Sequence, residues 1–166
     1  MTRISLLCLA IAILVSQSAY AQPSIRLGVG GSKVVADATL EPSDFSFGYN
    51  VIAGVELPIS LVTSILAEGG YIYNKIGSAS SMSVKQANVG IKLTSPLLYA
   101  VGLIGFNQAQ VTASVFGVDV STTNNGIGVG AGVGLNLGRL VSEARVYHST
   151  AAESTYLLGL VGIRIL

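Results

Sequence analysis

From Asn125 to Leu137 the chain alternates without a break. Gly126, Gly128, Gly130, Gly132 and Gly134 fill one parity, and Ile127, Val129, Ala131, Val133, Leu135 and Leu137 the other. A period of two belongs to a β-strand, whose successive side chains leave opposite faces. One face of this strand is a row of apolar groups and the other is almost bare. A soluble sheet buries its apolar face and sets polar groups on the other. A small membrane barrel inverts this, turning apolar groups to lipid and small or polar groups to a crowded interior.

The same period recurs along the chain and predicts eight strands. Strand one covers Ser24 to about Ala36, with Ile25, Leu27 and Val29 opposite Arg26, Gly28 and Gly30. Strand two, Phe45 to Leu57, sets Phe47, Tyr49, Val51, Ala53 and Val55 against Ser46, Gly48, Asn50, Gly54 and Glu56. Strand three, Val62 to Asn74, sets Ile65, Ala67, Tyr71 and Tyr73 against Ser64, Glu68, Gly70 and Asn74. Strand four, Val84 to Leu93, sets Ala87, Val89, Ile91 and Leu93 against Gln86, Asn88, Gly90 and Lys92. Strand five, from Leu98 to near Gln108, is apolar on both parities, so its facing stays open. Residues 109–121 form either an extended ribbon turning at Phe116-Gly117 or a flexible loop. Strand six is the glycine strand. Strand seven, Leu140 to His148, sets Glu143, Arg145 and Tyr147 against Ser142, Ala144 and Val146. Strand eight, from Thr155, sets Leu157, Val161, Ile163 and Ile165 against Gly162 and Arg164.

Connections alternate long and short. The tight turns are Pro58-Ile59-Ser60, Thr94-Ser95-Pro96 and Gly138-Arg139; the long loops are 37–44, 75–83 and 107–124. Up-and-down membrane barrels show this asymmetry, with short periplasmic turns and longer outer loops. Phe45, Phe47, Tyr49, Tyr71, Tyr73, Phe106, Tyr147 and Tyr156 lie near the long-loop ends and Tyr99 near a short turn, which predicts an outer aromatic belt. A soluble sandwich gives no reason for such one-ended clustering.

Composition sharpens the choice. Hydrophobic residues make up 51% and charged residues 10% of the chain, against roughly 25% charged in soluble domains. Beyond the leader no uninterrupted apolar run is long enough for a helical span. A closed barrel is the remaining way to satisfy every backbone group in lipid. The start of the chain reads as a secretory signal: Arg3, the apolar run Ile4 to Val15, and Ala19-Tyr20-Ala21 as a small-x-small cleavage site. Residues 1–21 are thus expected to be removed, leaving residues 22–166 as one barrel domain. The only cysteine, Cys8, leaves with the signal. Without Arg3, eight Lys or Arg face eight Asp or Glu, a balance that gives nucleic acid no electrostatic purchase.

Three stretches carry a resemblance: Asn88-Val89-Gly90-Ile91-Lys92-Leu93, Tyr99 to Asn107, and Val161-Gly162-Ile163-Arg164-Ile165. In these the chain resembles the small outer-membrane β-barrel domain family of bacteria, the OmpX-like and OmpA-barrel-like proteins. The resemblance covers essentially all of the chain after the signal. It implies an eight-stranded antiparallel up-and-down transmembrane barrel, delivered by the barrel insertion machinery into a membrane of lipid and lipopolysaccharide. It also implies a non-catalytic part in envelope integrity or adhesion through the outer loops, where an external ligand would bind. Family members commonly end on an aromatic residue, where this chain ends Ile165-Leu166.

The candidate chemistry is sparse. Gly126 to Gly134 lacks the turn and helix of a dinucleotide fingerprint, and Gly28-Val29-Gly30-Gly31-Ser32-Lys33 lacks Walker spacing. One histidine and scattered carboxylates predict no metal site and no cofactor. Asp37, Glu41 and Asp44 are close enough in sequence for a calcium loop, though a solvated loop explains them as well. His148-Ser149-Thr150 resembles in outline the His-x-Ser arrangement of lipid A deacylases, with threonine where serine is required, which makes a hydrolase the alternative to a non-catalytic barrel. A soluble lipocalin-like barrel holding an apolar ligand is the third reading. If facing follows the glycine strand, Arg26, Lys92, Arg145 and Arg164 point inward with Glu56, Glu68 and Glu143. Eight strands leave an interior that side chains can fill, and buried charges must be paired. The expected arrangement joins Arg26, Arg164, Glu143 and Glu56 in one cluster, with Lys92 reaching Glu56 or Glu68.

Overall fold

The computed structural model describes residues 22–115 and 118–165; the expected signal segment, the Phe116-Gly117 turn and Leu166 lie outside them. Among the described residues the strands are β1 (Ser24–Asp37), β2 (Gly48–Pro58), β3 (Thr63–Ile76), β4 (Ser80–Thr94), β5 (Leu98–Val115), β6 (Val118–Leu137), β7 (Leu140–Ser149) and β8 (Ser154–Ile165). Each pairs antiparallel with the next, and β8 returns to β1 to close a barrel. Closure leaves no open sheet edge within the wall, which is what lipid demands of strands.

Facing follows the alternation. Ile25, Leu27 and Val29 on β1 and Ile127, Val129 and Val133 on β6 are exposed, whereas Arg26 and Glu143 are buried. The exterior is therefore the apolar surface, the reverse of a lipocalin-like soluble barrel. On β5, where the sequence left facing open, Tyr99, Val101 and Leu103 turn inward and Ile104 and Phe106 outward. The bare face of β6 makes room for its neighbours' large side chains. A Cβ on Gly134 would stand 2.3 Å from the Tyr99 ring, and one on Gly128 would stand 1.8 Å from the Tyr147 hydroxyl.

Residues 109–115 and 118–121 belong to the extended ribbon of the two alternatives, and the long loop expected over 75–83 is instead a turn at 77–79, because β3 runs on to Ile76 and β4 begins at Ser80. β5 and β6 stay paired from Leu98↔Leu135 out to Val115↔Val118. The polarity of the two faces inverts along this hairpin. Within the wall Ile104 and Phe106 face out, but beyond Phe106 the outward parity becomes Gln108, Gln110, Thr112 and Ser114. Val111 and Ala113 take the parity of buried Asn107 and Ala109, and pair with Thr122 and Val120. Such an inversion is what a wall passing from lipid into water requires.

The first long loop is tied down. Residues Pro42–Asp44 form a short 3-10 turn in which Asp44 Oδ2 accepts the Glu41 N–H at 3.2 Å. Lys33 Nζ donates to the Pro42 carbonyl at 3.2 Å and to that of Phe45. Phe45 is 1% exposed and forms a bridge with Ile76, so the predicted strand-two start at Phe45 is instead a docked loop residue, and β2 begins at Gly48.

Candidate functional site

The lumen is filled in two unlike layers. Towards the short turns lies a charged layer built from β1, β2, β3, β4 and β7. Arg26 Nη2 meets Glu143 Oε2 at 2.5 Å, and Arg145 holds Glu143 Oε1 through Nε at 2.7 Å and Nη2 at 2.6 Å. Arg145 also pairs with Glu68 across the lumen, with Nη2 at 3.2 Å from Oε2. Lys92 Nζ donates to both oxygens of Glu56, at 2.9 and 3.1 Å. Tyr99 links the two groups: its hydroxyl donates to Glu143 Oε2 at 2.9 Å, while Lys92 Nζ stands 4.4 Å and the Arg26 guanidinium 5.7 Å from its ring centre. Such pairing is what makes full burial of these side chains tolerable in a medium of low dielectric.

Towards the long loops lies an apolar layer: Val34, Phe45, Ile72, Met82, Val84, Ala109, Tyr147, Tyr156 and Leu158 pack together with Ala151 of the last loop. The lumen is thus plugged by charged side chains around a small apolar cluster of Leu66, Val101 and Leu103 in one half, and by apolar side chains interleaved with uncharged polar ones such as Ser32, Asn50 and Asn74 in the other.

Several expectations need correction. Arg164 does not join the interior cluster. It sits at the short-turn rim, half-buried, with Nη2 3.4 Å from the Gly138 carbonyl. Arg164 is indeed the cross-strand partner of Arg26, but one residue from the end of β8 its guanidinium reaches the rim rather than the crowded interior. Glu56 pairs with Lys92 rather than with Arg26. Among the described residues the interior balance is three cations, Arg26, Lys92 and Arg145, against three carboxylates, Glu56, Glu68 and Glu143. The expected aromatic belt also divides. Tyr49 and Phe106 are exposed on the wall and Phe47 just before β2, with Tyr71 and Tyr73 partly exposed, but Phe45, Tyr147 and Tyr156 are at most 1% exposed and belong to the lumen. Tyr147 shares the parity of Glu143 and Arg145, and that parity carried the signal. Tyr99 was missed as an interior residue because its strand is apolar on both faces.

The outward aromatics gather on one side. Tyr49 stacks on Tyr73 with centroids 5.2 Å apart and approaches Tyr71 at 6.1 Å. Outside the lumen, the long-loop end carries Asp37, Glu41, Asp44, Asp119 and Glu153 against Lys33, Lys75 and Lys85, and the short-turn end carries Arg139 and Arg164. Asp37 lies at the far end of β1, beyond the roughly ten residues that a tilted strand needs to cross hydrocarbon. Partial burial pushes its carboxyl up, but the Ser154 hydroxyl and the N–H groups of Thr39 and Leu40 outweigh that and hold it below its ordinary value. Asp37, Glu41 and Asp44 do not converge: among the described residues no three potential metal ligands do.

Among the described residues His148 makes no hydrogen bond to Ser149 or Thr150. His148 faces outward, whereas Ser149 is fully buried on the opposite parity and accepts the Ala152 N–H at 3.1 Å. Thr150 Oγ1 accepts the Ile127 N–H at 2.8 Å. The neighbour of His148 Nδ1 is Thr155 Oγ1, at 3.0 Å.

A closed antiparallel barrel with an apolar exterior, a filled interior and unequal ends is a membrane-spanning β-barrel. The model of the outer membrane protein beta-barrel domain matches residues 4–151, and the chain belongs to that family. No curated protein matches the sequence. Among solved structures, Ail, the attachment invasion locus protein of Yersinia pestis, superposes with a TM-score of 0.65 at 16% identity, covering 87% of this chain and 99% of Ail. The N-terminal barrel of Pseudomonas aeruginosa OprF gives 0.60 at 13% identity, covering 87% and 99%. Neisserial surface protein A gives 0.57 at 13% identity, covering 86% and 96%. At these identities the likeness concerns the fold.

Proposed function

We propose that this chain is a non-catalytic outer-membrane barrel whose work is done outside the cell by the β5–β6 ribbon, the barrel itself serving as a filled anchor. The reading takes the long loops as external and the short turns as periplasmic. One observation carries it. β6 pairs with β7 only from Gly128↔Ser149 inward, so Val118 to Asn125 has β5 on one side and no strand on the other among the described residues. An exposed edge of that length is a template for an added strand. Its alternation of Val118 and Val120 with Asp119 and Ser121 offers a partner one apolar and one polar face.

Charge narrows the partner. Ail has also been solved in complex with the heparin analogue sucrose octasulfate, with a TM-score of 0.64 to this chain at 16% identity. Here the external end holds five carboxylates against three lysines, which repels a sulfated polyanion and favours a neutral or basic extended segment. The test is to shorten the ribbon by removing residues 112–121. Bacteria producing the shortened chain are expected to attach to a protein-coated surface less than those producing the native one, while the barrel still shows a heat-dependent shift on SDS gels. Equal attachment with an intact barrel would refute the ribbon as the working part.

A further inference from the structure

A cleft of about 550 Å³ on the lipid-facing wall runs along β4 and β5. Its walls are Val89, Ile91 and Leu93 on one strand and Ala100 and Ile104 on the other, with Gly102 as floor. Nothing lies within 4 Å of where a Cβ on Gly102 would stand, so the floor is open to the outside. In the direction of the long loops the next row is Gly69–Ala87–Phe106, joined across β3, β4 and β5. Above it stands the row Tyr71–Lys85–Gln108. Apolar groups thus give way to a cation, a phenol and an amide within one residue pair, at the level where the ribbon's polarity inverts. Lys85 is exposed and makes no ion pair among the described residues. From Lys85 to Val89 is four residues along the strand, roughly 13 Å at ~3.3 Å per residue.

Other apolar clefts lack this head. The cleft of about 420 Å³ over β1 and β8 has Lys33 above it, but that ammonium is committed to the Pro42 and Phe45 carbonyls. The cleft of about 450 Å³ that reaches from β6 to β8 has His148, bonded to Thr155, above it.

We propose that the β4–β5 cleft is a binding site for the phosphorylated glycolipid of the outer leaflet. The Lys85 ammonium takes a phosphate, with the Tyr71 hydroxyl beside it, and an acyl chain lies in the cleft over Gly102. An exposed cation at the headgroup level selects an anionic lipid, and the absence of a side chain at Gly102 lets the chain sink against the wall, where close packing supplies dispersion contact. The proposal rests on the long loops being external, as in the function proposed above, but not on the ribbon binding anything.

The test uses the full barrel in nanodiscs containing lipid A, phosphatidylglycerol or phosphatidylcholine, with lipids retained on gentle activation counted by native mass spectrometry. The native protein is expected to retain one lipid A. Lys85→Gln should cut the retained fraction at least fivefold, and Gly102→Leu should do the same by filling the cleft. Lys75→Gln, above the site, should leave retention unchanged. Each variant is first shown to keep its heat-dependent shift. Retention unaltered by either Lys85→Gln or Gly102→Leu overturns the site, as does equal retention of phosphatidylcholine; preferential retention of phosphatidylglycerol overturns the glycolipid as its occupant. Because nanodiscs report lipid and not attachment, the site and the ribbon can fail separately.

Discussion

The two layers of the lumen achieve the same end by opposite means. Towards the short turns, Arg26, Arg145, Lys92 and their three carboxylates fill space with charge, and each position depends on its partner's atoms. Towards the long loops, Phe45, Ile72, Val84 and Leu158 fill space with volume and carry no side-chain hydrogen bond or ion pair. A charged layer is directional and intolerant of a missing partner. An apolar layer is tolerant of chemistry and intolerant of holes. The contrast teaches where each is suited. The loop that docks Phe45 joins a layer that needs only contact, while the wall strands, held in register by backbone bonding, can afford exact pairings.

The contrast breaks most readily at Glu143, which lies between two guanidiniums. Glu143→Ala should cost roughly 3–5 kcal/mol, read as a lower temperature of heat modification. Glu143→Leu combined with Arg26→Met should recover part of the loss, because no unpaired charge then remains on that side. A Glu143→Ala barrel as heat-resistant as the native one would show that the charged layer contributes nothing. In the apolar layer, Leu158→Ala should cost roughly 2–5 kcal/mol through the cavity it leaves, and Leu158→Met less than about 1.5 kcal/mol. If Leu158→Met proves as damaging as Leu158→Ala on the same gels, volume is not what that layer requires.

The smallest effect is expected at Asp37, at the outer boundary of the apolar layer. Its folded carboxyl titrates below the ordinary value near 3.9. Its stabilising contribution is therefore complete above the unfolded value and is lost as pH falls through the lower folded one. Amide signals of Thr39 and Leu40 should follow a titration whose midpoint lies below that of an aspartate in the unfolded chain. In Ser154→Ala the shift should begin at higher pH. No change on replacing Ser154 would remove that hydroxyl from the account.

Much of this was legible because a strand has only two faces. Once the glycine row had shown which parity was crowded, the facing of Arg26, Glu56, Glu68, Lys92, Glu143 and Arg145 followed by counting. The same counting applied to Tyr147 places it beside Arg145 in the lumen; proximity to a strand end was the weaker cue and misplaced it with Tyr156 in the belt. Strand five could not be read, since Val101, Leu103, Ile104 and Phe106 are apolar on both parities, and contacts across the lumen, of Val101 and Leu103 with Leu66 and of Tyr99 with Glu143, lie on one of them. Which charge meets which lay beyond parity. Arg145 and Glu68 come from β7 and β3, on opposite sides of the lumen, and their meeting depends on the stagger that closure imposes. Arg164 failed for a related reason: facing is a matter of parity, but depth is a matter of distance to the rim.

The closing seam has a topological consequence. Ile25 stands beside Ile165 at the short-turn rim, so the two ends of the wall meet as neighbouring strands do at a hairpin. A ring of strands joined in this way has no intrinsic first member. Linking Ile165 to Ile25 by a few residues and reopening the chain at the Gly77–Ala79 turn would give a circular permutant in which every pairing of the wall survives, and the order in which the strands are synthesised would become a variable separate from the structure they build.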